Sequence, residues 1–484
     1  MNEIGPKYGY FPKPSKTWLI LKNPELLDKA RELFGNEVKI TKEGHRHIGA
    51  ALGSESFKKE FISLKVNKWV TDVKNLSELA KEEPQAALSA FNVGMSQRWS
   101  FVQRTVKGIA SLFQPLEDAI CDHLIPALIG KRVSEVQRRL LALPYRYGGL
   151  GIRNPVSTAD FEYAASVKIT QPLTNLIYNQ DCDLSNLDED LVKEIKAEVH
   201  LEKEKMFQEE EKEILSHLDE KSTRLVKCAQ EKGASSWLSA LPLKKLGYSI
   251  NKQEFRDAVF LRYGWKIVDM PAFCGCGKEN SINHAMICAK GGYNIMRHNA
   301  LRDTEATLLS EVCKDVKIEP KLLATENEDL KGNVKPGAHP DISARGLWSA
   351  CEKTYFDVMV SHPTADSYMK MNVQQIYKKD EDLKKSTYGD RIRNVEKASF
   401  TPLIFTTTGG MGPECMRFNK RLAEKIANKQ KEKYSHVVRH IRTRIRFALL
   451  KATLIAIRGE RGPSRKGEID LGDVMYNLIP QVNV

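Results

Sequence analysis

HPDISARGLWSACEKTYFDVMVSHP, residues 339–363, is the stretch that decides how the second half of this chain is read. Pro340-Asp341 ends a loop at the start of a short apolar stretch. KTYFDVMVSHP (353–363) has the alternation of a strand, with Asp357 between Phe356 and Val358. An aspartate inside an apolar strand is costly unless it is paired or metal-bound, which points to function. The segment QQIYKKDEDLKKSTYGDR (374–391) reads as a helix carrying Lys384, Lys385 and Tyr388. Two carboxylates on adjacent strands with a nearby lysine suit metal-assisted phosphodiester hydrolysis. The acids hold one or two Mg²⁺, and the lysine orients water or neutralises developing charge. The plainer alternative is that Asp341 caps a turn and Asp357 faces solvent.

Just upstream lies FCGCGKENSINHAMICAKGGYNIMRHN (273–299). Cys274, Cys276, His284 and Cys288 form C-x-C-x7-H-x3-C, four ligands for one structural Zn²⁺. Gly275 and Gly277 suit a tight turn around bound sulfur. His284 and Cys288 are four apart, so a helix puts both on one face. His298 is expected to pack or to meet a phosphate. The other six cysteines are scattered and are expected to be buried thiols in a reducing compartment.

The 484 residues have room for several domains, and 41% hydrophobic with 28% charged residues describes a folded, water-soluble chain. The start lacks the pattern of a signal peptide. The best apolar run, FALLKATLIAI, is short and interrupted by Lys451, so no membrane span or membrane partner is expected. From Arg417 to Lys466 there are sixteen Lys or Arg against three acids, a net of +13 that equals the formal net charge of the whole chain. Within it, Ile441, Ile445, Ala448 and Leu449 recur at helical spacing while Arg439, Arg442 and Arg446 share another face. This predicts a basic amphipathic helix turned towards a polyanion, with a membrane surface or an acidic protein as the lesser alternatives.

Residues 8–60 read as β-rich, with strands at WLILK (18–22) and NEVKI (36–40). Residues 55–180 turn helical, and PYRYGGLGIRNP (144–155) is a loop. Residues 186–221 are nearly all charged, with a thin apolar stripe, and predict a long exposed helix that spaces two halves.

HPD and FDVMV followed by E-x2-KK-x2-Y on a helix resemble the PD-(D/E)XK fold, in particular the restriction-like endonuclease of site-specific non-LTR retrotransposons. Those elements carry a Cys-Cys-His-Cys knuckle before the endonuclease, followed by an RHN-like tripeptide, here Arg297–Asn299. PKPSKTWLILK (12–22) resembles the lysine-bearing motif after the catalytic aspartates of a reverse-transcriptase palm, with Lys16 as the lysine. HRHIGAALG (45–53) resembles the hairpin that grips the primer end. The resemblance implies an α+β multidomain chain. In that reading residues 1–60 end a palm, 61–180 form a helical thumb, and 181–235 are a charged helical linker. Residues 236–300 then hold the zinc knuckle, 301–415 the α/β PD-(D/E)XK endonuclease core, and 416–484 the basic C-terminal helix.

It also implies a Mg²⁺-dependent enzyme that nicks target DNA for target-primed reverse transcription, with element RNA as second partner and a nuclear location. Asp341, Asp357, Lys384, Lys385 and Tyr388 would be its catalytic set. Lys16, Arg297, His298, Arg439, Arg442 and Arg446 would contact nucleic acid. Two departures stand out. No Asp-Asp pair lies just before residue 8, so no polymerase activity is expected of this chain. Position 359 is Met where many PD-(D/E)XK enzymes have lysine on the strand, and the lysine is expected on the following helix, at 384 or 385. The alternative is a remnant that binds nucleic acid without chemistry.

Overall fold

The computed structural model describes residues 4–459 except Tyr10, Pro12, Asn36, 180–186, Val268 and 324–338. The basic residues beyond 459 therefore lie outside the described part. The chain forms two compact units. One comprises Met1–Lys81, Ala90–Ser134 and Ile152–Glu209, and the other Glu82–Ser89, Glu135–Gly151 and Glu210–Val484.

The first unit begins with short strands. β1 (Trp18–Ile20) pairs parallel with β2 (Lys39–Thr41), and β3 (Gly44–His47) pairs antiparallel with β4 (Ala50–Gly53). These are the expected strands and hairpin, each shorter than its apolar run. Gly53 sits at φ +141°, and a Cβ there would lie 2.2 Å from Glu43 O, so this end of the hairpin needs glycine. Lys16 is exposed in a one-turn segment, Pro14–Lys16. The expected helices follow: α1 (Glu55–Glu82), α2 (Gln97–Thr105) and α3 (Pro155–Tyr178). Trp69 of α1 packs on Trp99 of α2 and on Phe113, with ring centres 6.0 and 6.3 Å apart. The charged segment forms α4 (Glu189–Ser216), whose residues divide between the units after Glu209. It is not wholly exposed. Lys168 of α3 pairs with Glu198 and Glu202 at 2.9 Å, and Val199 is buried.

In the second unit, α5 (Glu220–Gln230) buries Leu225, Val226, Cys228 and Ala229. Residues expected to end a linker thus belong to a core. α6 (Lys252–Tyr263) follows under a reciprocal cap between Asn251 and Glu254. α7 (Ile282–Ile287) and α8 (Tyr293–Ser310) then lead into a four-stranded sheet. Its order is β5 (Lys314–Ile318), β6 (Ile342–Arg345), β7 (Lys353–Ser361) and β8 (Ser399–Thr406). The first three run antiparallel, and β8 is parallel to β7. α9 (Val373–Lys384) makes the crossover from β7 to β8, and α10 (Pro413–Gln430) and α11 (Tyr434–Arg458) close the described chain.

Period two sorts the strands between faces. Ile342, Ala344, Phe356 and Val358 enter one core with Leu301, Leu309, Phe418, Leu422, Ile441, Ile445 and Leu449. Tyr355 faces the other way, onto Tyr388 and Ile392. Two expectations are corrected here. Residues 416–459 share the core of the sheet and are no separate segment. α11 is also not a surface helix: from Ile445 to Leu450 every residue is buried, including Arg446. The expected docking face is right, but the segment is apolar over more of its circumference than that one face.

Candidate metal and acid sites

The knuckle is built locally. Cys274 N–H donates to Lys278 O, and Gly277 N–H donates to Cys274 O, both at 2.8 Å, closing a turn in which Gly277 takes φ +86°. Ser281 caps α7, its hydroxyl accepting from His284 N–H, and Cys288 closes the same helix with its N–H on His284 O. One face therefore carries both residues. The four ligand atoms of Cys274, Cys276, His284 and Cys288 all lie within 4.8 Å of one another, close enough to share one metal ion. Cys276 Sγ is 3.2 Å from His284 Nε2, and Cys274 Sγ is 3.8 Å from Cys288 Sγ.

The acid site sits at the start of β6. The pair Ile342–Phe356 is in register, so Asp341, one residue earlier, stands opposite Asp357. Residues directly opposed on antiparallel strands have Cβ atoms about 5 Å apart. Both side chains point to the face that carries Tyr355, away from the main core. Asp357 is 3% exposed and Asp341 8%. Val358 N–H donates to Asp341 Oδ2 at 2.6 Å, and His298 Nε2 lies 3.0 Å from the same oxygen. Lys384 Nζ lies 2.5 Å from Asp357 Oδ2, an ion pair with a nearly fully buried carboxylate. Burial, then the charge of Asp341, pushes the Asp357 carboxyl up to about 6, against the pull of Lys384 and His298. At His298 burial opposes the imidazolium, but the hydrogen bond and charge of Asp341, the hydrogen bond with Asn299 and the charge of Asp357 outweigh it and raise its pKa.

The two lysines separate. α9 ends at Lys384, and the chain then widens into a π-type turn, Lys385–Gly389. Such turns recur at functional sites because they re-aim side chains. Lys385 points elsewhere, its Nζ 2.9 Å from Glu414 Oε1. Tyr388 packs against Phe400 beside the carboxylates, with burial first and then Asp357 and Asp341 pushing its phenol up to about 12. Met359 is two residues beyond Asp357 on the same strand face, so the charge missing there arrives from α9.

The RHN tripeptide divides its work. Arg297 is 3% exposed; its Nη2 donates to Met286 O at 2.9 Å and to Asn294 Oδ1 at 3.2 Å, tying α8 to α7. Burial lowers its pKa to about 10. It is a structural clamp, which corrects its expected role as a nucleic-acid contact. His298 is the next residue and reaches the acid pair instead. Arg446 is corrected likewise: it is 6% exposed, and its Nε donates to Ala234 O at 2.9 Å. Arg439 is exposed and Arg442 half-buried, so both remain near solvent.

His362 was not singled out by its sequence. It lies just past β7 and is buried, and burial, then Arg297, pushes its pKa down to about 3. Its neutral ring lies within hydrogen-bonding reach of Thr407 Oγ1 (2.8 Å) and Asn283 Oδ1 (3.0 Å), which links α7 to the sheet. Only the HP pair at 362–363 marks it, too weak a signal to find. No protein-family model and no curated protein matches this chain.

Proposed function

We propose that the chain is a Mg²⁺-dependent DNA endonuclease of retroelement origin, held in shape by a zinc knuckle. The observation that carries this reading is the meeting of Asp341, Asp357, Lys384 and His298 at one end of the β6–β7 pair. The donor chemistry fits a hard divalent cation, since two opposed carboxylates supply oxygen ligands. Asp341 and Asp357 would hold the ion, which supplies polarisation of the phosphate and a lowered pKa of water. Lys384 places a positive charge where charge builds on the scissile group. His298 and Val358 N–H fix the carboxylate of Asp341, and Tyr388 limits water behind the pair.

Zinc suits the knuckle in the same way. A tetrahedron with Zn–S bonds of about 2.3 Å has an edge of about 3.8 Å, the separation between Cys274 and Cys288 sulfurs. Such a closed site is structural. The palm and thumb readings of residues 1–180 and a role for element RNA belong to the same proposal, as does action in the nucleus, where the DNA target lies.

A second reading, nucleic-acid binding without chemistry, is favoured by one fact: each carboxylate already has a cationic neighbour, Lys384 or His298. Nicking of supercoiled plasmid with and without added Mg²⁺ separates the two. Wild type should nick only with Mg²⁺, and the Asp341→Asn/Asp357→Asn variant should lose orders of magnitude in rate while still binding. Equal nicking by both chains means contamination. Binding without nicking by either selects the second reading.

A further inference from the structure

Apart from the acid pair, a cleft of about 490 Å³ opens against the first turns of α11. Lys232, Lys420, Arg439 and Arg442 line it together with the hydroxyl groups of Ser236 and Tyr434, and no carboxylate is among its lining residues. The four cations come from three separate places, the turn after α5, the middle of α10 and the start of α11. Arg439 donates to Ser239 O, while among the described residues Lys232, Lys420 and Arg442 make no ion pair. Lysines on an open surface splay into water and avoid one another. Arg442 cannot, because it is half-buried, and burial lowers its pKa. A pocket that gathers positive charge without an acid to offset it is suited to an anion with several oxygens, and the hydroxyls add neutral donors.

We propose that this cleft is a phosphate-binding site that seats a phosphodiester group of a nucleic-acid strand. The choice of a strand over a free phosphate rests on the nuclease reading; the anion chemistry does not. Sequence alone exposed half of the site, Arg439 and Arg442. Lys420 belongs to the same basic stretch but to another helix, Lys232 is far away in the chain, and the two join the site only through the packing of α5, α10 and α11. Arg446, from the same expected row, turns into the core and takes no part.

The test is binding by the full chain of a labelled DNA duplex across a salt series, without added Mg²⁺, so that no cleavage is needed. Each lost phosphate contact should flatten the log–log salt dependence by about 0.9. The Lys420→Gln/Arg442→Gln variant should therefore show a slope smaller by about two and clearly weaker binding at low salt. Lys244→Gln/Lys245→Gln removes the same charge from exposed positions outside the cleft and should leave the slope unchanged. Equal effects of the two variants, or no effect of either, overturn the proposal. If the double variant melts early, Lys420→Gln alone, exposed and outside the core, decides, with a slope smaller by about one. A third measurement is thermal melting with inorganic phosphate. Stabilisation of wild type but not of the cleft variant, with duplex binding identical in both, overturns the assignment to a strand in favour of a free phosphate. Failure of nicking with this binding pattern intact refutes the nuclease reading alone.

Discussion

Lys384 and Lys385 are neighbours in sequence, yet they face different carboxylates. A helix turns about 100° per residue, so two adjacent lysines cannot serve one site. Lys384 is paired with a nearly fully buried partner, Asp357, whereas Lys385 and Glu414 are both partly exposed. Replacing Lys384 with Gln should lower nicking turnover by about 100-fold, the usual effect of removing one group that stabilises developing charge. Lys385→Gln breaks only a partly screened pair, worth at most about 1 kcal/mol, and should leave turnover within about twofold. Single-turnover nicking by the two variants measures this directly. Equal losses would mean that neither lysine is the positioned cation. Position 359 supplies the same logic in reverse. Met359 points to the carboxylate face without charge, so the strand depends on the helix for its cation.

At the scale of elements, α8 connects the two sites. Arg297 and His298 occupy adjacent positions near its start and therefore diverge, one to the α7 carbonyl of Met286 and the other to Asp341. Removing the metal proposed for the knuckle should release α7 first, because small closed metal sites owe their folding energy to the ion. A chelator, or Cys288→Ser, should raise amide exchange across 273–288 while β7 stays protected in the main core. Unchanged exchange in 273–288 would mean that the four ligands hold themselves without metal. The legibility of these elements followed from how local their causes are. The four knuckle ligands lie within fifteen residues, so spacing alone finds them, whereas Asp357 stands out as a charge within an apolar strand and is joined to Asp341 and Lys384 only by the resemblance. Arg297 and Arg446 read as exposed charge because their acceptors, Met286 O and Ala234 O, are backbone atoms that no composition rule reveals. Arg446 reaches across 212 positions to its partner. The helix that was legible as basic and amphipathic turned out to be central because its apolar run, 447–457, needed the sheet and α8 to cover it.

On the scale of the second unit, the sheet, α8, α10 and α11 form one core, so a change far from the acid pair should loosen it. Leu449 is 1% exposed in that core, and Leu449→Ala should cost about 2–5 kcal/mol, read as a lower denaturant midpoint. The same core carries a titration. Glu305 of α8 is fully buried; Asn419 Nδ2 is 3.4 Å from its Oε1, and its Oε2 has no hydrogen-bond partner among the described residues. Burial, opposed by Asn419 and Arg444, pushes its carboxyl up to about 8 from an ordinary value of 4.5. The folded chain therefore holds this proton more tightly than the unfolded chain does. Its contribution to stability is complete below about pH 4.5 and is lost as pH rises through about 8, an effect on the order of a few kcal/mol. Glu305→Gln keeps the shape and the neutral charge at every pH, so it should remove this part of the pH dependence. Other raised groups such as Glu231 change stability in the same direction, but they are common to both chains and cancel in the difference. Urea unfolding of wild type and variant at pH 5 and pH 8 measures that difference. The variant should match wild type within about 1 kcal/mol at pH 5 and exceed it at pH 8; a constant difference between the two pH values would show that Glu305 is ionised inside the core.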